Sequence, residues 1–215
     1  MLKDNLDLTG FNDSEIDKAV NSLANGGIVA FPTETVYGLG ADIFNENSVK
    51  KIFEIKKRDF SKPLAAHLDS VDKVLDVAFE IPDEFFVLAA RFLPGPLSII
   101  LPKRKEIPSI VSGSSSTIAV RVPDNKIAFE LIKRFGKPLA ATSANLSGMI
   151  PSTTAKEVVE FIGKDVQIIL DGGKCKYSQS STVISLVEKP PVLIREGVIR
   201  KEVLENVLKM KIVKL

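Results

Sequence analysis

The sequence predicts an α/β protein with a mixed sheet, in which helices flank both parallel and antiparallel strands. Three observations support this fold class. Short apolar runs alternate with amphipathic helical stretches in the first half of the chain, strands cluster near its end, and Gly, Pro and Ser mark the connections. The 215 residues show neither an internal repeat nor a low-complexity linker. The simplest expectation is therefore one domain over residues 1–215, without a C-terminal accessory domain.

Several stretches of the sequence carry apolar residues on one face at helical spacing. Asn12 and Glu15 form a capping-box pattern at the start of the first, which is predicted to extend to Ala24. Thr154 and Glu157 form the same pattern later in the chain. The remaining helices are predicted after Asn47, over residues 70–78, 82–92 and 127–135, and around residues 203–208.

Further apolar runs predict strands, at 28–31, 63–68, 97–101, 117–122, 138–141, 166–170, 182–187 and 192–194. The first of them leads directly into residues 32–40, PTETVYGLG, which carry hydroxyls, a carboxylate and two glycines. Ligand sites of α/β proteins collect where strands end in loops. We therefore interpret residues 32–40, the mouth loop, as the rim of a binding site.

Composition narrows the class of protein. The net charge is +2 and the pI about 8.5, whereas nucleic-acid-binding domains usually have a pI above about 9. The overall charge is therefore only weak support for nucleic-acid binding. The single cysteine, Cys175, cannot form an internal disulfide, which favours a reducing compartment and a cytoplasmic location. Residues 1–4 lack the apolar core of a signal peptide, and no run reaches the ~18 apolar residues of a membrane span. We expect no membrane association.

Common catalytic motifs are missing from the sequence. It contains no P-loop pattern, no Gly-x-Gly-x-x-Gly after a strand and no Gly-x-Ser-x-Gly elbow. With one histidine and one cysteine, a zinc site of the usual kind is not expected, and no side chain is predicted to bind a metal ion. An enzyme of this composition must act by positioning its substrates and neutralising their charge.

A cluster of cations follows the second predicted helix. Lys56 and Arg58 stand two residues apart, and Lys62 follows them. Such cations suit a polyphosphate, because arginine forms bidentate contacts and lysine supplies a point charge. The alternative is a solvated helix end, in which the cations complement the helix dipole.

Two polar side chains, Ser143 and Asn145, follow the strand at 138–141. A hydroxyl and an amide at the end of a strand are suited to hydrogen-bond a ligand. They are equally suited to an Asx-type turn or to the cap of the next helix. The residues alone leave both interpretations open.

Three charged or titratable residues interrupt or end apolar strands. His67, the only histidine, lies within LAAHL and by itself is best interpreted as a satisfied core residue. Arg121 lies within IAVRV, where a buried guanidinium needs a partner, either Glu34 or a ligand. Arg195 ends a strand beside Glu196 and by itself suggests a surface ion pair.

Taken together, a series of short segments resembles the YrdC/YciO family. They are GIVAFPTETVYGLG (27–40), KKR (56–58), KPL (62–64), LPGP (93–96), TIAVRVP (117–123), ATSANLSG (141–148), STV (181–183) and REG (195–197). The resemblance covers nearly the whole chain in order, and the Lys-x-Arg and Ser-x-Asn pairs are the signature of that family. It implies a twisted mixed sheet with flanking helices and a deep, positively charged cleft.

The best-understood members of that family are threonylcarbamoyl-AMP synthases. The resemblance therefore implies ATP, L-threonine and bicarbonate as substrates, with Mg²⁺ accompanying the nucleotide, and threonylcarbamoyl-adenylate and pyrophosphate as products. It implies a role in the t6A modification of tRNA, with the downstream t6A transfer machinery and tRNA or double-stranded RNA as partners. Two alternatives remain open: an RNA-binding relative, and a carbamoyl-adenylate-forming relative without threonine specificity.

The resemblance also implies roles for single residues. Threonine would be held by Thr35, His67, Arg121, Ala141 and Ser181. ATP would be surrounded by Lys56, Arg58, Lys62, Thr117, Ser143, Asn145, Pro151 and Arg195, and the predicted catalytic set is Lys56, Arg58, Ser143 and Asn145. The middle residue of the Lys-x-Arg pair is Lys57, whose extra charge either tightens phosphate binding or has no effect. Longer relatives carry a second domain and a linker that covers the nucleotide, so closure of the cleft is expected to differ here.

Overall fold

The computed structural model describes residues 7–9 and 12–214; residues 1–4, whose composition argued against a signal peptide, lie outside these ranges. The strands are β1 Asp7–Thr9, β2 Val29–Phe31, β3 Gly38–Asp42, β4 Ala65–His67, β5 Leu97–Pro102, β6 Thr117–Arg121, β7 Leu139–Ser143, β8 Ile168–Leu170, β9 Thr182–Ser185, β10 Val192–Arg195 and β11 Val213–Lys214. They form one sheet in the order β1-β8-β2-β3-β7-β4-β6-β5-β9-β10-β11. Parallel and antiparallel pairs both occur, which confirms the predicted mixed sheet. The edge strands β1 and β11 are too short to show a period in the sequence.

The α-helices of the described chain are α1 Asp13–Ala24, α2 Glu46–Lys56, α3 Asp83–Phe92, α4 Lys126–Phe135, α5 Ala155–Ile162 and α6 Lys201–Leu208. The predicted N-caps of α1 and α5 are confirmed. The Asn12 side chain accepts a hydrogen bond from the Glu15 amide at 2.9 Å, and Thr154 and Glu157 form a complete capping box. The helix predicted at 70–78 is instead a short 3₁₀ helix, Val71–Asp76. Within the described residues, none of the helices has the length and apolar character that a membrane crossing requires.

The mouth loop is shorter than predicted. Its last residues begin β3, which lies antiparallel between β2 and β7. The glycines that suggested a loop serve packing instead, since a Cβ at Gly40 would lie 2.9 Å from the Phe31 ring. The strand predicted at 138–141 likewise continues to Ser143, which pairs with Gly38. Ser143 is therefore a strand residue and not a loop residue.

Two apolar clusters cover opposite faces of the sheet. The smaller one joins α1 and α4 to β2, β7 and β8 through residues such as Leu23, Leu131 and Phe31. The larger one includes α2, α3, α5 and α6 on the other face. Neighbouring residues of a strand alternate between the two clusters, as Leu139 and Ala140 do. The helices α1 and α4 leave part of their own face uncovered, over β4, β6, β5 and β9, and a cavity lies there.

Candidate active site

A cavity of about 560 Å³ lies over the uncovered part of the sheet. Its floor comes from β7, β4, β6, β5 and β9, and its rim comes from the mouth loop and from residues at the ends of α2 and β10. The residues predicted from the sequence that line it are Arg58, Lys62, His67, Arg121, Ala141, Ser143, Ser181 and Arg195. Side chains that lie far apart in the chain therefore converge on one space.

The floor of the cavity combines short apolar side chains with a polar row. Ala65 of β4 lies beside Ala119 of β6 and beside Ala141 of β7, so three alanines form a row across neighbouring strands. Two residues further along the same strands, His67 pairs with Arg121. Residues two apart in a strand point to the same face. The three alanines, the alanine row, therefore leave the cavity deep because their side chains are short. His67 and Arg121, the polar row, provide hydrogen-bonding groups beside them.

Arg121 is buried and has partners behind the cavity wall. Its Nη2 lies 2.9 Å from Glu34 Oε1 in an ion pair and 2.7 Å from Thr35 Oγ1, and its Nε lies 3.4 Å from the Gly95 carbonyl oxygen. This confirms Glu34 as a partner of the buried guanidinium. Among the contacts of the described residues, none uses the N–H groups of Nη1, which are available to an anion. Thr35 supports Arg121 and does not line the cavity itself.

Hydrogen bonds hold the mouth loop in one shape. The Thr33 hydroxyl donates to the Val36 carbonyl at 2.6 Å and accepts from the amides of Thr35 and Val36, both at 3.2 Å. The Tyr37 hydroxyl donates to the Gly173 carbonyl at 2.9 Å, and burial raises the pKa of this phenol. Thr33 and Tyr37 both line the cavity. The loop therefore forms a wall whose polar groups already have partners.

His67 lines the cavity as a neutral imidazole. The side chain is only 5% exposed, and its ring meets the Phe31 ring edge-on, with the centroids 5.9 Å apart. Burial, and then the charge of Arg121, lower the pKa of His67 to about 3. Its Nδ1 is buried without a hydrogen-bond partner. The interpretation as a satisfied core histidine is therefore wrong, and the ring offers the cavity an uncharged polar group.

Lys56 lies behind the cavity wall. The side chain is 1% exposed, and its ammonium group donates to the backbone carbonyls of Ser143 and Asn145. Burial, and then the charge of Arg58, lower the pKa of Lys56 to about 7. The alternative of a solvated helix end is wrong for this residue. Its contacts hold the end of β7 in place, and direct contact with phosphate stays a prediction.

The cations of the rim lie close enough to repel one another. The Arg58 guanidinium donates to the Lys62 carbonyl at 3.1 Å, and Arg195 donates to the Ser181 carbonyl at 2.9 Å in place of a surface ion pair. Burial, and then the charge of Arg195, lower the pKa of Arg58; burial, and then the charge of Arg121, lower the pKa of Arg195. Among the described residues that line the cavity there is no carboxylate. An anion in the cavity would relieve this repulsion.

The other predicted residues that lie outside the cavity wall are Thr35, Thr117, Asn145 and Pro151. The Thr117 hydroxyl lies 2.8 Å from the hydroxyl of Ser115. Asn145 is buried and donates to the carbonyls of Leu146 and Met149, both at 2.8 Å. These contacts favour the turn interpretation of Asn145. Contact of Thr117 or Pro151 with ATP stays a prediction.

Sequence reasoning missed several residues of the wall. They lie in apolar runs that predict core strands, and they are Ala65, Ser98, Ile100 and Ala119. Ser98 offers one signal, because its hydroxyl interrupts the run PLSIIL. The alanines offer none, since a small residue in a buried strand is ordinary.

The fold and the cavity define an α/β protein in which one face of a mixed sheet carries a cavity lined by Arg58, Lys62, Arg121 and Arg195. A family model described as Sua5_yciO_yrdC, telomere recombination, matches residues 21–197. The chain belongs to this Sua5/YciO/YrdC family, which confirms the resemblance carried by its motifs.

Curated relatives and a solved structure agree with this assignment. A threonylcarbamoyl-AMP synthase of Pyrococcus abyssi is 47% identical over 191 residues, which are 88% of this chain and 56% of that protein. One of Bacillus subtilis is 41% identical over 198 residues, which are 92% of this chain and 57% of that protein. The crystal structure of P. abyssi Sua5 complexed with L-threonine matches with a TM-score of 0.92 at 42% identity, over 96% of this chain and 62% of that one. This chain therefore spans little more than half the length of these two curated relatives.

Proposed function

We propose that this chain makes threonylcarbamoyl-AMP from L-threonine, bicarbonate and ATP, and releases pyrophosphate. One observation carries the proposal: a single cavity joins the buried pair Arg121 and His67 to the rim cations. An amino acid and a triphosphate need these two environments side by side. The names of the curated relatives and the threonine complex of P. abyssi Sua5 support the same assignment.

The amino acid would lie over the polar row of the floor. Its carboxylate fits the N–H groups of Arg121 Nη1, because a guanidinium binds carboxylates in a fixed planar geometry. Neutral His67 would hydrogen-bond the substrate without adding charge, and the alanine row, which includes Ala141, would leave room for the substrate. The cationic surroundings favour the free amine over the ammonium form, as the reaction requires.

The triphosphate would lie at the rim. Arg58 and Arg195 offer planar, multidentate contacts, and Lys62 adds a point charge. Ser143, at the end of β7, would place its hydroxyl against the nucleotide. Lys56 would act through β7, since its ammonium group is already bound to the Ser143 carbonyl. Mg²⁺ would enter with ATP, because the phosphate oxygens are among its preferred ligands.

The proposed reaction has two steps and no covalent enzyme intermediate. The threonine nitrogen attacks the carbon of bicarbonate, or of CO₂ derived from it, and gives the carbamate with loss of water. A carbamate oxygen then attacks the α-phosphorus in line, and the bond to pyrophosphate breaks. Arg58, Lys62 and Arg195 would offset the charge of the leaving pyrophosphate. The chain would thus contribute placement and charge neutralisation.

Release of pyrophosphate tests this proposal. We expect release only when ATP, bicarbonate and L-threonine are all present, and we expect mass spectrometry to identify threonylcarbamoyl-AMP as the second product. Release that requires carbamoyl phosphate in place of threonine would instead identify a carbamoyl-adenylate-forming relative and would refute the proposal.

Transfer to tRNA is a further part of the proposal. The adenylate would pass to the t6A transfer machinery in the cytoplasm, where the free thiol of Cys175 would stay reduced. We expect the rate of adenylate formation to be the same with and without tRNA. Binding of double-stranded RNA without any threonine-dependent turnover would favour the RNA-binding alternative.

A further inference from the structure

We propose that Ser98 and Ser181 together form the subsite that recognises the side-chain hydroxyl of the amino acid substrate, an inference that rests on the proposed function. The two Oγ atoms lie 3.0 Å apart, each residue is 5% exposed, and both line the cavity. Strands β5 and β6 are antiparallel and Ile99 pairs with Val120, so Ser98 lies opposite Arg121, a residue of the polar row. The resemblance gave Ser181 a role, whereas nothing so far assigns one to Ser98.

The hydroxyl pair holds one proton more than it uses internally. Each serine hydroxyl is one donor and two acceptors, and the bond between the two hydroxyls uses one of their two protons. Ser181 Oγ also accepts from Arg195 Nη2 at 3.3 Å, which leaves the second proton unused. Among the contacts of the described residues, no other acceptor faces either hydroxyl. The second proton is therefore available to an oxygen atom in the cavity.

The surroundings of the pair fit a branched side chain that carries a hydroxyl. Val183 pairs with Ser98 across β9 and β5, Ile100 follows two residues later, and both line the cavity. A hydroxyl pair beside branched apolar side chains matches a carbon atom that bears one hydroxyl and one methyl group. Threonine supplies the acceptor for the unused proton and a methyl group for Val183 and Ile100.

Two analogues separate hydroxyl recognition from shape. L-valine has nearly the shape of threonine but offers no acceptor, and L-allo-threonine inverts the carbon that carries the hydroxyl and the methyl group. A site built to hydrogen-bond a substrate hydroxyl rejects an analogue without it by up to roughly 10⁴-fold. The Ser98–Ser181 pair therefore predicts a strong preference for L-threonine over both analogues.

The decisive comparison uses the full chain and its Ser98→Ala variant. Calorimetry with a nonhydrolysable ATP analogue present measures the affinity for each amino acid, and pyrophosphate release measures kcat/KM. We expect Ser98→Ala to lower the affinity for threonine by about tenfold, the effect of one net hydrogen bond. We expect it to leave the affinity for valine unchanged, so that the preference shrinks by the same factor. Ser98→Thr keeps the hydroxyl and should restore most of the preference.

Ser185→Ala is the matched control. Ser185 is a buried serine of strand β9, which begins directly after Ser181. Its hydroxyl donates to Glu188, and it does not line the cavity. We expect this variant to keep the wild-type preference. Thermal unfolding of each variant shows whether it is folded, and if Ser98→Ala is not, Ser181→Ala and the wild-type preference over L-allo-threonine decide the question.

The outcomes separate this subsite from the proposed function. Equal losses of affinity for threonine and valine in Ser98→Ala, or an equal effect of Ser185→Ala, would overturn the subsite. Threonine-dependent release of pyrophosphate by the wild type would still uphold the proposed function. Selective threonine binding that Ser98→Ala weakens, without any release of pyrophosphate in the wild type, would uphold the subsite and refute the function.

Discussion

Arg121 shows how a single buried charge serves both the fold and the site. Its guanidinium and the Glu34 carboxylate are almost fully buried and form an ion pair. Removal of one partner leaves the other as an unpaired buried charge, at a cost of about 3–5 kcal/mol. A simple loss of activity in an Arg121 variant would therefore not distinguish unfolding from loss of a substrate contact.

A double substitution separates the two effects. We expect Arg121→Met to lower the free energy of unfolding by about 3–5 kcal/mol, and we expect Arg121→Met with Glu34→Gln to recover most of it. Glutamine keeps the oxygen that accepts from the Asp124 amide. The double variant should still bind ATP but no longer bind threonine in calorimetry. Wild-type threonine affinity in the double variant would show that Arg121 has only a structural role.

Lys56 gives a prediction for the pH dependence of stability. Burial, and then Arg58, lower its pKa in the folded protein from 10.5 to about 7. Between these two values the unfolded chain binds more protons than the folded one, so unfolding becomes harder as the pH rises. We expect the stability of the wild type, relative to a Lys56→Met variant, to rise from about pH 7 towards pH 10.5 by at most ~1.4 kcal/mol per pH unit.

Urea unfolding between about pH 6 and pH 9 measures this difference. The Lys56→Met variant lacks the titrating group, so subtraction removes the contributions of all other residues. Below pH 7 the ammonium group is charged in both states, and the difference between the proteins should be constant. A difference that also stays constant up to pH 9 would mean that Lys56 keeps its ordinary pKa.

Strands and helices were predicted correctly where the hydrophobic periodicity of the sequence is clear. The prediction failed where contacts between residues of different strands determine the structure. The N-caps of α1 and α5 were predictable because a cap is a local hydrogen bond between nearby residues. Strand β3 was not, because Gly38 and Gly40 usually indicate a turn. Their role depends on the Phe31 ring of the neighbouring strand, and no local pattern contains that contact.

Gly40 tests this explanation of β3. A methyl group at this position would lie 2.9 Å from the fully buried Phe31 ring, which has no room to move freely. We expect Gly40→Ala to destabilise the protein by about 1–3 kcal/mol. It should also weaken threonine binding, since the Phe31 ring supports His67.

A double-mutant cycle with Phe31→Leu checks the cause. The smaller side chain makes room for the new methyl group, so the two substitutions should cost less together than the sum of their separate effects. Denaturant unfolding of the four proteins gives the coupling free energy. Strict additivity would mean that the Phe31 ring is not what requires glycine at this position.

The order of the strands in the sheet brings the residues of the site together. Arg58, His67, Arg121 and Arg195 are conspicuous in the sequence because each is a charged or titratable side chain in or beside an apolar run. Their place in the site was predicted only through the family resemblance, since the residues alone favoured a core histidine for His67 and a surface ion pair for Arg195. Ala119 and Ser98 were not, because only the register of β4, β6, β5 and β9 places them on the floor. The role of Lys56 also depended on an element far away in the sequence, the end of β7.

Because the cavity wall comes from many elements, a bound ligand should stabilise the entire fold. A ligand at 100 times its Kd adds about 2.7 kcal/mol, which raises the Tm of a chain of this size by roughly 5–10 °C. We expect such a rise with ATP and Mg²⁺ in the wild type and a clearly smaller one in Lys62→Ala. Lys62 is an exposed lysine in the cavity wall, so its removal changes the charge at the rim with little effect on packing.

Lys57→Gly is the control for lost charge. Lys57 is exposed, does not line the cavity and ends α2 in the left-handed region with a φ of 49°. Glycine adopts this conformation without the steric cost that other residues carry, so the variant should be as stable as the wild type or more so by up to about 1 kcal/mol. Its ATP-induced rise in Tm should equal that of the wild type. An equal loss of that rise in both variants would show that ATP responds to the overall charge of the protein and not to a cation in the cavity wall.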